Sequence, residues 1–557
     1  MEITAETLKT VSLDHHGVVA AVCKDLQLSD KIDSRIGTND SRRKVSPGKA
    51  VVAMILNGLG FTNRRLYLSN QFFENKPVEL LLDAPIEAKD ITDSTLGHTL
   101  DEIAEYGSSK LFAEIAFEMA LENDLLGVVN HIDTTSMSVE GEYNQEEPSA
   151  IKITHGYSKD HRPDLKQVVL SLVVNGPSSI PIFMEPLDGN SSDKKSFHET
   201  IKRVNAFKEQ IDTNQSFKWV GDSALFSKEH LLKGNDYLWL TRVPESIKEA
   251  KLLTEKSEEE IVWKKLENGY QITSFSSEYG DIKQRWLLVY SEQAYKREQK
   301  TFEKKLLTLE KALEKAIWHL GLEEYGCEND AKRAFNQLEK SYPYHNISYD
   351  IHPIKRYENR GKPKATDERK IIGYQVKCAF TRDEEAIKRM LNKKGRFILA
   401  TNDLDTESYS DEKMLTEYKE QQSVERGFKF LKDPWFMLDS IFLKSAKRIE
   451  ALMMVMTLCL FVYNYSQFKI RTALREENKT LPNQLGKKVQ NPTMRWIFQL
   501  MEGISIVRFY DANLKKPIKE MVANLNDIRK EIIMFFGKTA CEMYGLIPKN
   551  KLQVLGT

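Results

Sequence analysis

Three acidic residues stand where a carboxylate could do chemistry. Asp133 lies in the middle of a segment that alternates as a β-strand does, and Asp222 directly follows an apolar strand. Glu425 lies in a segment of strong helix formers. If the two strands are neighbours in one sheet and the helix packs against it, the three carboxylates converge. Taken singly, each acid is better explained as a cap or a surface charge, so the joint placement is what indicates a site.

Such a cluster requires a cation, because like charges brought close together raise a carboxyl pKa. Hard oxygen ligands suit Mg²⁺, which binds a few carboxylates together with substrate phosphate oxygens. Two such ions about 4 Å apart can activate a nucleophile and stabilise the leaving oxygen in phosphoryl transfer. The three acids therefore predict a centre for two Mg²⁺ ions, with Mn²⁺ as a substitute.

The segment around Glu425, EYKEQQSVERGFKFLKDP, is predicted to be one helix from Glu417 to a stop at Pro434. A helical projection places residues of four chemistries on one stripe: Tyr418, Gln421, Glu425 and Lys432. An apolar flank lies beside it and would be buried: Val424, Phe428 and Leu431. The helix would then dock on a core and hold Glu425 at its edge. A solvated charged face is the alternative for this helix alone.

The elements that must position these acids form a mixed α/β pattern. Residues 126–245 predict three antiparallel strands, a helix, a strand, a helix and a strand, which make the first part of a mixed sheet. Residues 246–410 interrupt that pattern with hairpin-like strands and a charged helical pair, so we interpret them as a largely β insertion domain. Residues 411–476 would complete the catalytic domain with the Glu425 helix.

Helical regions flank this core. Residues 1–125 are predicted to form a helical N-terminal domain, with a helix beginning at Ser46-Pro47. Arg64 and Arg65 follow that helix and suggest binding of a DNA end, although a packing or dimer module is an alternative. Residues 477–557 are predicted to be a basic helical C-terminal region; residues 468–557 hold 16 Lys/Arg and 8 Asp/Glu.

Two internal segments are also basic. The connection from His155 to Gln167 is polar and basic and contains Lys159, Arg162 and Lys166. The segment from Lys355 to Lys370 has four more basic than acidic residues and predicts a phosphate-binding loop. Its candidate contacts are Arg356, Arg360 and Lys362. A structural turn and a solvated linker are the respective alternatives.

The composition is that of a soluble globular protein of several domains, with 557 residues and 41% hydrophobic residues. Lys+Arg and Asp+Glu both number 81, so any surface for nucleic acid must be local. Five scattered cysteines without a CxxC pair suit a reducing cytosol. The N-terminus does not predict a signal peptide, and the 13-residue apolar run 451–463 predicts a buried helix because a membrane span needs about 20 residues.

Four motifs resemble those of a known family: HIDTTS around Asp133, HGYSKDHRPDLKQ, WVGDSALFS around Asp222, and the spacing of Tyr418, Gln421, Glu425 and Lys432. The chain resembles DDE-type insertion-sequence transposases, whose ribonuclease-H-like catalytic fold is shared with retroviral integrases. The last motif matches the family's tyrosine–arginine–glutamate–lysine signature, with Gln421 in place of the arginine. That departure affects the phosphate contact expected from the arginine and leaves the role of the glutamate unchanged.

The resemblance implies that Asp133, Asp222 and Glu425 are the catalytic, metal-binding triad. Their separations of 89 and 203 residues leave room for an inserted domain before the helix. Tyr418 and Lys432 would contact the DNA backbone near the cleaved end, with Gln421 at the arginine position as a further candidate. The weaker candidates for the same contact are Lys159, Arg162 and Lys166. His131 lies on the same strand face as Asp133; a core histidine is the favoured interpretation.

The expected reaction is Mg²⁺-dependent hydrolysis at an element end, followed by attack of the freed 3′-hydroxyl on target DNA. The implied partners are the terminal inverted repeats, target DNA and a second copy of the chain in the DNA complex, in a prokaryotic cytoplasm without a membrane partner. A stand-alone metal-dependent nuclease and a non-catalytic DNA-end-binding protein remain alternatives. The repeat sequences and the route of transposition stay open.

Overall fold

The computed structural model describes residues 8–37, 43–62, 68–143, 150–210, 216–227, 231–232, 236–357, 368–433, 443, 445–510 and 517–547. The chain divides into two compact units. The first consists of residues 1–239 together with 416–557, and the second of residues 240–415. The candidate acids Asp133, Asp222 and Glu425 all belong to the first unit.

The first unit begins with a strand and a cluster of helices: β1 (Leu8–Ser12), α1 (His16–Asp25), α2 (Leu28–Ile36), α3 (Pro47–Gly58), α4 (Ser69–Phe73), α5 (Val78–Leu82), α6 (Asp93–Tyr106) and α7 (Ser108–Glu122). The predicted helix start is confirmed, because the Ser46 side chain accepts from the Lys49 backbone N–H and Pro47 is the first helical residue. Arg64 and Arg65 lie outside the described residues.

A mixed sheet follows and carries the two aspartates. Its elements are β2 (Val129–Val139), β3 (Lys166–Asn175), β4 (Ile180–Leu187), α8 (Asp193–Gln210) and β5 (Lys218–Gly221). The strand order is β4-β3-β2-β5; β2 pairs antiparallel with β3 and parallel with β5. Three antiparallel strands, a helix and a strand parallel to the first are the ribonuclease-H-like arrangement that the sequence predicted.

The second unit contains most of β6 (Leu238–Arg242) and then α9 (Lys248–Glu255), β7 (Lys264–Lys265), β8 (Tyr270–Tyr279), β9 (Ile282–Ser291), α10 (Glu292–Leu322), α11 (Glu328–Lys340), β10 (His345–Arg356), β11 (Lys370–Arg382), α12 (Glu384–Asn392) and β12 (Arg396–Thr401). Strand β12 pairs with both β6 and β9, and β10 pairs with β11 in a separate long hairpin. Helices α10 and α11 pack on that hairpin through Leu313, Phe335 and Ile347. The hairpins and the charged helical pair match the prediction for this segment.

The chain then forms α13 (Asp411–Glu420), α14 (Gln422–Leu431) and α15 (Ala446–Glu476). Helix α15 contacts β4, α3, α6 and α7 and forms the core of the first unit. Its length and apolar composition would suffice to cross a bilayer, yet 83% of its most apolar window is buried in the protein. The apolar run 451–463 is therefore part of a buried core helix, as predicted.

The C-terminal region contains helices and also strands that the sequence did not predict. Its elements are β13 (Leu481–Pro482), β14 (Lys488–Val489), α16 (Met494–Leu500), β15 (Ser505–Tyr510), β16 (Pro517–Ala523), α17 (Asp527–Phe535) and α18 (Lys538–Met543). Strand β15 lies between β1 and β16 in a three-stranded antiparallel sheet. The two ends of the chain thus share one sheet, a long-range pairing that no local pattern indicates.

The prediction of a single helix from Glu417 to Pro434 is wrong, because two helices share this segment. Two helices meet at Gln421, where the backbone N–H of Gln421 donates to the Tyr418 carbonyl and that of Val424 donates to the Gln421 carbonyl. These three-residue bonds tighten the turn and separate α13 from α14. Helix α14 ends at Leu431, and Pro434 lies outside the described residues.

Candidate active site

The pairing of β2 with β5 brings the two aspartates side by side. Val129 pairs with Lys218 and His131 with Val220, an offset of 89 residues. Asp133 and Asp222 are separated by the same 89 residues, so the register extended by two residues places them opposite each other. Neighbouring strands lie about 4.8 Å apart. The register therefore predicts that the two acids lie near each other at the end of β5, where strand ends in open α/β sheets gather ligands.

Both carboxylates also accept local backbone hydrogen bonds. The Thr134 N–H donates to Asp133 Oδ1 at 2.7 Å, and the Ala224 N–H donates to Asp222 Oδ1 at 2.8 Å. Asp133 is partly exposed, with 19% of its side chain accessible. Each carboxylate is thus oriented by its own strand or turn while keeping access to solvent.

Gln421 fastens the start of α14 to the strand that carries Asp133. Its Nε2 donates to the Ile132 carbonyl at 2.9 Å, and its Oε1 lies 3.1 Å from His131 Nδ1. Since Oε1 can only accept, His131 Nδ1 carries the proton in this pair. Glu425 follows Gln421 by one helical turn, about 6 Å along the axis. Glu425 is exposed and stands on a helix anchored one residue from Asp133.

Burial makes the His131 imidazole neutral at physiological pH. Desolvation lowers its pKa to about 4, and the hydrogen bond with Gln421 opposes that shift. The ring is 2% exposed. His131 therefore acts as a neutral donor that holds Gln421, which agrees with its interpretation as a core histidine.

The apolar flank of α14 is buried as predicted: Val424 is 0%, Phe428 7% and Leu431 0% exposed. Gly427 allows this close packing, because a Cβ there would lie 3.1 Å from Leu460 Cδ2 and 3.6 Å from Leu172 Cδ2. Helix α14 thus packs closely on α15 and β3, and a side chain at Gly427 would require Leu460 to shift.

The far end of α14 is tied to the basic connection beside Asp133. Lys432 Nζ donates to Asp160 Oδ1 at 2.6 Å. The neighbouring Lys159 donates through Nζ to the Thr134 carbonyl at 2.7 Å and lies 3.9 Å from Asp133 Oδ1. Both ends of α14 are therefore anchored to segments next to Asp133, and Glu425 lies between the two anchors.

The described residues contain no group of three His, Cys, Asp or Glu side chains arranged to hold a metal ion. The β2–β5 register concerns the two aspartates alone, whose carboxylates accept from nearby N–H donors, and the Glu425 side chain is exposed to solvent. Mutual repulsion of three like charges opposes closer approach without a cation. The metal ligands thus stay a prediction, supported by a donor set of hard carboxylate oxygens.

The remaining candidate DNA contacts are dispersed. Arg162 pairs with Asp164 at 2.9 Å on the surface, and Lys166 Nζ donates to the carbonyls of Glu142 and Tyr143. Tyr418 is half-buried on α13.

In the second unit, Arg356 ends β10 and pairs with Glu324 at 3.0 Å. Arg360 and Lys362 lie outside the described residues. The predicted loop from Lys355 to Lys370 is therefore partly strand, because Lys355 belongs to β10 and Lys370 begins β11.

Two features of the site were missed from the sequence. Gln421, predicted to face DNA, is 8% exposed and binds β2 through its amide. The short break between α13 and α14, which turns Gln421 inward, cannot be predicted from the residue composition of the segment. A basic cavity beside α14 was also missed. Arg426 and Lys429, close to Glu425 in the sequence, were a possible signal for it, but the other cations of the cavity come from residues 471–495.

Comparison with known proteins identifies the family of the chain. The family profile described as Transposase DDE domain matches residues 127–462, more than half of the chain, and the chain belongs to that family. The match includes Asp133, Asp222 and Glu425. Residues 8–117 match a domain of unknown function (DUF4277). A search of curated proteins gives no match.

Two solved structures are similar to parts of the chain. One is the cryo-EM structure of a piggyBac transposase synaptic complex with hairpin DNA, at 10% identity and a TM-score of 0.36, covering 88% of this chain and 82% of that one. The other is the Mos1 transposase paired-end complex with the left transposon end, at 11% identity and a TM-score of 0.14, covering 34% of this chain and 57% of that one.

Proposed function

We propose that this transposase cuts the ends of an insertion sequence and joins them to target DNA by Mg²⁺-dependent phosphoryl transfer. The observation that carries the proposal is the 89-residue offset of the β2–β5 register, which equals the separation of Asp133 and Asp222 along the chain. Gln421 also anchors the Glu425 helix to β2. Membership in the transposase family supports the reaction class.

Asp133, Asp222 and Glu425 would hold the metal ions through carboxylate oxygens. When bound, Mg²⁺ would supply Lewis-acid stabilisation of the charge that develops on the phosphate and activation of the attacking oxygen. The local N–H bonds from Thr134 and Ala224 orient the two aspartates, so less ordering is required when DNA arrives.

Two lysines near Asp133 are the proposed contacts to the scissile strand. Lys159 lies 3.9 Å from Asp133 Oδ1 and Lys432 reaches Asp160 from the end of α14. Both ammonium groups can turn to a phosphate oxygen, because lysine offers three rotatable donors on a flexible stem. Tyr418 is the proposed third contact to the DNA backbone.

A cleavage and joining assay with the full chain tests the proposal. The substrate is a duplex that carries the DNA flanking the element's gene, with a supercoiled plasmid as target. Asp133→Asn should lower cleavage by at least about 10³-fold, since loss of a metal ligand removes several kcal/mol of transition-state stabilisation. Asp164→Asn, which removes an exposed acid of the same type, should cleave at the wild-type rate.

The same assay separates the alternatives. Cut ends that join the plasmid support a transposase, whereas nicks without joined products indicate a stand-alone nuclease. Binding without cleavage at any Mg²⁺ concentration indicates a DNA-end-binding protein. Near-normal cleavage by Asp133→Asn would refute the catalytic triad. The proposed partners are the two element ends, the target duplex and a second copy of this chain, in the cytoplasm of a prokaryote.

A further inference from the structure

A cavity of about 700 Å³ opens along the flank of α14 that carries Arg426, Lys429 and Phe430. Residues of α14, α15 and the segment 490–495 form its walls, and all of them belong to the first unit. Its volume lies within the range of about 300–1,000 Å³ that is typical of ligand sites. None of the residues assigned above to the carboxylate site lines it.

The cavity is strongly basic. Five cations line it: Arg426, Lys429, Arg471, Arg475 and Arg495. Among the described lining residues the single carboxylate is Asp433, which pairs with Arg495. A concave wall with such an excess of one sign concentrates the field and attracts an anion.

Arg471 lies deepest in this group and is half-buried. Its Nε donates to the Pro492 carbonyl at 2.9 Å, which holds the 490–495 segment on α15. Burial is the main cause that lowers the pKa of Arg471; Tyr463 opposes the shift, and the charges of Arg426 and Arg475 add to it. The neighbouring cations thus repel one another, and a bound anion would relieve that repulsion.

Aromatic rings occupy the wall between the cations. The rings of Phe430 and Tyr463 have centroids 4.7 Å apart, and Phe61 lies 6.1 Å from Phe430. The Arg495 guanidinium lies 5.2 Å above the Phe61 ring. These rings are half-buried, so part of each is available to a ligand. Cations for phosphates and rings for base stacking are the combination that binds single-stranded nucleic acid.

We propose that this cavity binds a short unpaired stretch of DNA strand next to the catalytic carboxylates. A duplex is too wide to enter such a cavity, whereas a single strand can place its phosphates on the arginines and its bases on the rings. Arg426 and Lys429 follow Glu425 by one and four residues on the same helix, so a strand bound there leads to the carboxylates. The inference rests on the proposed function for its ligand.

Metal-free binding by the full chain tests the inference. Labelled oligonucleotides of one sequence, as a single strand and as a blunt duplex, are titrated in EDTA by fluorescence anisotropy. The double variant Arg426→Ala/Lys429→Ala should weaken single-strand binding by at least tenfold. It should also reduce the slope of log affinity against log salt by about 1.4, since two phosphate contacts are lost. Phe430→Leu should weaken single-strand binding by about tenfold through lost stacking.

The matched control is Lys304→Ala/Lys311→Ala, which removes two exposed cations from α10 in the second unit. It should leave single-strand affinity within twofold of the wild type. Equal losses in the two double variants, or equal losses of single-strand and duplex affinity in the cavity variant, would overturn the inference.

The outcome is independent of the proposed reaction, because binding in EDTA requires no cleavage. A chain that binds single strands through the cavity but never cleaves DNA would refute the transposition proposal alone. If the wild type cleaves and joins DNA, and the Arg426→Ala/Lys429→Ala variant does so normally and keeps its single-strand affinity, the proposed role of the cavity alone is refuted.

Discussion

At the scale of single residues, Gln421 decides how the glutamate helix meets the sheet. The family signature has an arginine at this position, and here an amide joins the Ile132 carbonyl to the His131 ring. An arginine could donate to the carbonyl but has no acceptor for a neutral histidine donor. Glutamine at position 421 therefore suits this buried site, because its amide oxygen accepts from His131 and its amide nitrogen donates to Ile132.

Replacing Gln421 should therefore destabilise the first unit. Gln421→Ala leaves the buried Ile132 carbonyl and the His131 N–H without this partner, which costs about 1–3 kcal/mol of unfolding free energy. Gln422→Ala, an exposed neighbour of the same type, should change stability by less than about 0.5 kcal/mol. Urea denaturation of both variants gives the comparison; equal stability of the two would contradict the anchoring role.

His131 gives a pH dependence whose sign follows from burial. Its folded pKa is about 4, below its ordinary value of 6.5, so between these values the unfolded chain binds a proton that the folded chain does not. The neutral ring therefore contributes about 3 kcal/mol to the free energy of unfolding above pH 6.5. This contribution is lost as the pH falls from 6.5 toward 4.

His131→Asn should remove that part of the acid sensitivity, because asparagine offers an N–H donor without a titration. Denaturation midpoints measured from pH 7 to pH 4 should fall less steeply in this variant than in wild type. The exposed His161→Asn is the control and should keep the wild-type slope. Parallel curves for all three proteins would exclude the titration of His131.

At the scale of elements, the buried flank of α14 was predicted correctly from the sequence, whereas the start of the helix was not. Its apolar flank was predictable, because Val424, Phe428 and Leu431 recur at helical spacing. Its separation from α13 was not, because the break at Gln421 serves a hydrogen bond to a strand 289 residues away. Local patterns report periodicity and contain no information about such distant partners.

A substitution at Gly427 tests whether the close packing of α14 on the core positions Glu425. Gly427→Val should force α14 away from Leu460 and Leu172, lowering unfolding free energy by about 1–3 kcal/mol and reducing cleavage together with it. Gly326→Val should be tolerated, because an added Cβ at Gly326 would meet no atom within 4 Å. A fully active and stable Gly427→Val protein would show that Glu425 does not depend on this packing.

The catalytic strands were predicted closely. The three antiparallel strands predicted within residues 126–245 are β2, β3 and β4 in the structure. Their apolar runs, bounded by turn residues, give a strong local signal. The sheet formed by β1, β15 and β16 was missed, because its strands come from opposite ends of the chain and their pairing is set by tertiary contacts alone.

At the scale of the whole molecule, the charges cancel and binding must come from local surfaces. Lys+Arg and Asp+Glu are equal at 81 each, while the cavity beside α14 gathers five cations. DNA affinity should therefore depend on a few residues rather than on the net charge.

Joining two element ends requires two reacting sites in one complex, and we expect two copies of the chain to supply them. Sedimentation velocity of the full chain with end-bearing duplex and Ca²⁺ or EDTA should show a species with two chains and two duplexes. Titration with an unrelated duplex is the control and should not give that species. A complex that contains one chain at every ratio would contradict the expectation.

The central claim is that Asp133, Asp222 and Glu425 together hold the metal at a scissile phosphate. Anomalous diffraction at the manganese edge, from crystals of the full chain with DNA and Mn²⁺, tests it most directly. The account predicts manganese peaks within about 2.0–2.3 Å of oxygens from all three carboxylates, beside a phosphate. Manganese bound by other residues, with these acids on separate surfaces, would contradict it.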